Sequence, residues 1–105
     1  MTGYALSPIA RSHIDAIYDF TAERWGEDQA AAYIDGLFGE LDRIVADQVL
    51  WRRLPASFGV AGFSRTWRSH VIYWTTTDDS IRVAAIVHGH MDQISRAREV
   101  FGLGG

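Results

Sequence analysis

The stretch AERWGEDQAAAY, residues 22–33, decides how this chain folds. Gly26 ends a helix that arrives through Trp25, serving as its C-terminal αL residue, and a second helix opens at about Glu27. A link this short joins two helices only as an antiparallel hairpin. Upstream, Ser7 followed by Pro8 gives the first helix its start: serine caps, and proline takes the first helical position, where its missing N–H costs nothing. Ala10, Ile14, Ile17, Tyr18, Thr21 and Trp25 then recur at helical spacing. Downstream, Ala30, Tyr33, Ile34, Leu37, Phe38, Leu41, Ile44 and Val45 form a broad apolar stripe that carries the second helix to about Asp47.

The hairpin is flanked by strands. TGYALS alternates between turn formers and predicts a short strand over residues 2–6. After residue 47 the spacing turns irregular in DQVLWRRLPASFGVAGFS, a loop that Trp51, Leu54 and Phe58 anchor to the core. Three strands follow, at roughly Phe63 to Trp67, His70 to Thr76 and Ser80 to Val87, the last two joined as a hairpin through Asp78 and Asp79. The order β-α-α-β-β-β predicts an α+β fold, with the helical hairpin on one face of a mostly antiparallel sheet.

That sheet has too much apolar surface for one hairpin. In HVIYWT, Ile72 and Trp74 share one face while Val71 and Tyr73 share the other. In IRVAAIVH, Val83, Ala85 and Val87 oppose Ala84 and Ile86. Half-solvated antiparallel strands normally alternate apolar with polar residues, so a second cover is required. The tail SRAREVF is a brief and arginine-rich candidate for that cover, and a partner chain is the stronger one.

Composition sets the outer bounds. The 105 residues suit one domain spanning 1–105 with a tail from about residue 92, and a hydrophobic content of 48% suffices for a core. No long apolar run or charged leader suggests a membrane or an export signal, so the expected location is cytoplasmic. Cysteine is absent, which excludes disulfides, thiolate nucleophiles and Cys-ligated zinc. The net charge is -3 and every cation is arginine, a poor basis for direct nucleic-acid binding.

The segment VHGHMD, residues 87–92, places two histidines and an aspartate at alternate positions, like the start of a metal-hydrolase motif. That motif would continue with histidine where Gln93 stands, so no metal and no cofactor are expected. Histidines at a strand end more commonly bond nearby backbone, with a partner contact by His88 and His90 as the functional alternative. Trp25, Tyr33 and Trp51 are expected to pack in the core or the hairpin. Arg65 and Trp67 alternate onto one strand face, and with Arg68 they form the better contact candidate.

Taken together, LSPIA, the spacing of Ile14, Ile17 and Tyr18, AERWGEDQAAAY, SHVIYW and AIVHGHMD resemble the ParE family of bacterial toxins, within the wider RelE/ParE group. The resemblance runs from Tyr4 to about Arg98, and rests most on Glu23, Trp25, Gly26, Gln29, Ala30 and Tyr33, then on His88, Gly89, Met91 and Asp92. It implies a toxin neutralised by a ParD-like antitoxin and, when free, inhibiting DNA gyrase by binding rather than as an enzyme. On that basis Val71 and Tyr73 are expected under the antitoxin, and Arg65, Trp67 and Arg68, with Arg96 and Arg98 of the tail, against the target. RelE-type relatives instead cleave messenger RNA on the ribosome. In this chain Arg65, Arg68 and Arg82, with His70 or His88 as acid or base, would have to supply that chemistry.

Overall fold

The computed structural model describes residues 3–59, 61–77 and 80–89. In chain order the elements are β1 (Gly3–Leu6), α1 (Pro8–Trp25), α2 (Glu27–Val45), β2 (Arg52–Arg53), β3 (Phe63–Trp67), β4 (His70–Thr77) and β5 (Ser80–His88). The strands form one five-stranded sheet in the order β1-β5-β4-β3-β2. Every pairing is antiparallel except β1 with β5: the chain leaves α2 into β2 at the far edge, and the antiparallel run β2-β3-β4-β5 brings the last strand back alongside the first in the same direction. The expected α+β fold is therefore present, extended by the two-residue strand β2 inside the segment expected to be loop.

Gly26 is the whole link between the helices. Its N–H closes α1 on the Ala22 carbonyl at 2.9 Å, and its own carbonyl accepts the Ala30 N–H at 3.1 Å. With φ 93° and ψ 164° it lies in a region essentially reserved for glycine, more extended than the αL conformation expected of it.

Ser7 caps α1 as its position predicts, its Oγ accepting the Ala10 N–H at 3.0 Å. The same hydroxyl donates to the Ala84 carbonyl at 2.9 Å. Ala84 is where β5 bulges: Tyr73 pairs with Ala85, yet the next residue, Trp74, pairs with Val83. The extra residue shifts the strand's alternation, so Ile81, Val83 and Ile86 all face the helices while Ala85 and Val87 face away. This corrects the strict alternation expected for β5, which put Val83 and Ile86 on opposite faces.

The main core lies between helices and sheet, with Leu37, Leu41 and Ile44 of α2 and Ile14 of α1 against Ile72, Trp74, Val83 and Ile86. Each fully buried leucine contributes about 2 kcal/mol relative to exposure. The far face has its own cluster, in which Phe58 packs with Tyr73, Ala85 and Val87, flanked by Leu54 and Val71. Phe58 sits in a short 3-10 turn, Ala56–Phe58, so the loop between β2 and β3 supplies part of the cover expected from elsewhere. The turn at 78–79 and the tail, including His90, Arg96 and Arg98, lie outside the described residues.

Candidate protein-docking site

Three of the chain's histidines converge on one place. A groove of about 710 Å³ opens between α1, the start of α2 and the adjoining ends of β4 and β5, bordered by His13, His70 and His88. The His13 Nδ1 accepts the backbone N–H of Ile86 at 3.2 Å, just beyond the β5 bulge. His70 and His88 are paired across the strands and meet edge to face at 5.5 Å. The Tyr33 hydroxyl and His70 Nδ1 share a hydrogen bond of 2.8 Å. A phenol donates there, which leaves the proton of a neutral His70 on Nε2. Burial, and then the neighbouring His88, hold the His70 pKa below its ordinary value. Burial likewise raises the Tyr33 phenol, opposed by Arg68 and by a backbone hydrogen bond from Ser69.

The groove wall is apolar where it meets solvent. Trp25 is 70% exposed and Phe20 is 58% exposed, and both line it together with Ile17 and Ala16. Trp25, expected to be packing, is thus corrected to a surface residue: it is the last residue of α1, at the hairpin tip on the wall of the groove. Its exposure could not be read from periodicity, because it continues the same stripe as the buried Ala10 and Ile14. Tyr33 does pack, its ring 5.0 Å from Trp67.

The contact candidates on β3 are more committed than their sequence suggested. Arg65 bonds the Glu40 carboxylate of α2 through Nε and the Leu50 carbonyl through Nη1, the latter at 2.8 Å. Glu40 is 2% exposed and also accepts from Arg43, so Arg65 neutralises a buried charge and ties down a loop. Trp67 lies against α2, close enough that a Cβ on Gly36 would stand 3.1 Å from its ring. Arg68 occupies a left-handed turn position at φ 54° and covers the rings of Trp67 at 5.0 Å and Tyr33 at 5.9 Å. Of the proposed antitoxin contacts, Tyr73 is buried beside Phe58 and Val71 is half-buried, so the open face expected there is corrected by the loop's cover. His88 is half-buried at the groove. No group of three or more histidine, cysteine, aspartate or glutamate side chains is arranged to hold a metal among the described residues.

Residues 4–93 match the family model described as ParE toxin of type II toxin-antitoxin system, parDE. The chain belongs to the ParE toxin family. A Toxin ParE1 from Mycobacterium tuberculosis, found in strains CDC 1551 / Oshkosh and ATCC 25618 / H37Rv, is 33% identical over 93 residues, covering 85% of this chain and 91% of the relative. The fold also matches a chain of the chromosomal ParDE TA system from P. aeruginosa with a TM-score of 0.67 at 18% identity, over 84% of this chain and 95% of that one. This ParE-family chain is accordingly the toxin component of a type II toxin–antitoxin system. No described helix is long and apolar enough to cross a membrane.

Proposed function

We propose that a ParD-like antitoxin neutralises this chain in the cytoplasm by laying an amphipathic segment in the groove between α1 and the β4–β5 end. When released, the chain inhibits DNA gyrase by binding and performs no chemistry of its own. The groove carries this reading: an apolar wall that ends in the exposed Phe20 and Trp25 is the kind of surface a helix-in-groove partner covers. Membership of the ParE family and the ParDE system of the P. aeruginosa structure support the choice of partner.

One observation favours the ribonuclease alternative, namely the adjacency of Tyr33, His70 and His88 with Arg68 over the tyrosine. The placement of the other cations favours binding instead. Arg65 is occupied by Glu40. Arg82 alternates with the helix-facing Ile81 and Val83 and so stands on the opposite face from His70 and His88. A phosphorane needs its cations and its acid–base pair on one side.

Supercoiling by purified gyrase and cell-free translation on ribosomes, each titrated with the toxin, separate the two. The proposal expects supercoiling to stop while messenger RNA stays intact, and expects addition of the antitoxin from the adjacent reading frame to restore it. Cleaved messenger RNA with normal supercoiling would sink it.

A further inference from the structure

We propose that the segment Leu50–Arg53, at the outer edge of the sheet, is the surface with which this chain grips its target protein, and that it fits an apolar socket bordered by carboxylates. This rests on the reading of the chain as a toxin that acts by binding, and it places the target away from the antitoxin groove.

Leu50 is 87% exposed, more than any other large apolar side chain among the described residues, and Trp51 beside it is 43% exposed. Lone exposed leucines are common on proteins and by themselves mean nothing. This one is held outward by construction. Asp47 takes a left-handed conformation at φ 58°, which aspartate tolerates better than most residues, and turns the chain out of α2. Its Oδ1 accepts the Trp51 indole N–H at 3.3 Å, and the indole meets the Phe63 ring edge-on at 4.9 Å. The Leu50 carbonyl is fixed from the other side by Arg65, itself anchored on the buried Glu40. A buried charge is an expensive device for stabilising a loop. Its effect here is to present one leucine and one tryptophan in a fixed geometry, which lowers the ordering cost of binding.

The charge on the strand that carries this knob is positive. Arg52 and Arg53 form β2, are exposed, and take part in no ion pair among the described residues. Arg53 covers the Phe63 ring at 5.9 Å. Of the nearby acids, Glu40 is paired with Arg43 and Arg65, while Asp47 accepts the Trp51 indole N–H and keeps its negative charge beside the knob. Arginines on an edge strand ordinarily serve to keep other strands away. An exposed leucine beside them works against that purpose, whereas tryptophan and arginine together are the residues that dominate protein interfaces. The complementary partner is a protein with an acidic surface around an apolar recess.

The test compares wild type with L50S and with R52E/R53E, using R11E/R82E as a charge-matched control on exposed arginines elsewhere. Growth arrest on induction, the concentration needed to inhibit gyrase supercoiling, the melting temperature and co-purification with the antitoxin are read for each. The expected result is that L50S and R52E/R53E keep their melting temperature and antitoxin binding but need at least tenfold more protein to inhibit, while the control behaves as wild type. Full growth arrest by both variants would overturn the proposal, as would equal loss in the control or loss of antitoxin binding with toxicity. Arrest by wild type without gyrase inhibition removes gyrase as the target, and growth arrest by the variants then decides for or against the surface. Absence of arrest by wild type overturns the toxin reading and this surface together.

Discussion

The guanidinium of Arg65, on β3, bonds the carboxylate of Glu40, on α2, and so joins sheet to helix through a charge almost wholly removed from water. The two partners are not equivalent. Arg65 keeps 29% of its side chain exposed while Glu40 keeps 3%, so losing the arginine strands a buried anion whereas losing the glutamate leaves a cation that water can still reach.

R65M is therefore expected to destabilise the fold by about 3 kcal/mol, the low end for breaking a buried pair, since Arg43 remains beside Glu40. The double variant E40M/R65M removes both charges and should recover most of that loss. Denaturant midpoints for the two single variants and the double variant measure the cycle. Additive losses would show that the pair is not coupled.

Ser7 makes two bonds with one hydroxyl, capping α1 and satisfying the carbonyl of the bulged Ala84. S7A should cost about 2 kcal/mol, combining a lost cap with a buried carbonyl left unpaired. S7D separates the two, because an aspartate caps equally well but as a carboxylate cannot donate to Ala84. If S7D is as stable as wild type in thermal melts, the bond to the bulge contributes nothing.

The sequence made the hairpin and the succession of elements along the chain legible because their signals are local, whereas the order of the strands within the sheet was not. Ser7–Pro8 and Gly26 mark ends that depend only on neighbouring backbone. What it concealed was non-local. The bulge at Ala84 left no trace in the composition of β5, since an apolar run reads the same with or without a shift of face. Arg65 and Trp67 looked like surface contacts because nothing in FSRTW reveals that Glu40 and Gly36 lie opposite them on α2. Leu50 went unnoticed in an irregular segment, where no period tells an anchored side chain from a displayed one. Trp25 failed for the opposite reason, as a periodic stripe ran on into a side chain that stays exposed.

His70 links stability to pH. Its folded pKa is lowered by burial and by His88, so between the folded value and the ordinary 6.5 the unfolded chain binds the extra proton. The stabilisation is complete above about pH 6.5 and is lost as pH falls through the folded value. H70Q keeps a hydrogen-bond acceptor for Tyr33 but does not titrate. Its melting temperature should fall less steeply than that of wild type between pH 7 and pH 5, and parallel curves would show that His70 does not carry the dependence.

Trp25 gives the sharpest test of the groove. It is 70% exposed at the end of α1, so its removal leaves no cavity, and W25A should change the stability of the free toxin by less than about 0.5 kcal/mol. If an antitoxin segment buries the indole, the same substitution removes an anchor of the kind that contributes about 2 kcal/mol or more to binding, at least a tenfold rise in Kd. F20A, one turn earlier on the same wall, should act in the same direction. The contrast with L50S is the informative part: groove variants are expected to weaken antitoxin binding and leave toxicity intact, so cells expressing the W25A pair should arrest where the wild-type pair grows. Calorimetric titration of the antitoxin into each variant supplies the numbers. An unchanged Kd for W25A and F20A would remove the groove as the antitoxin's seat, whatever the fate of the target surface.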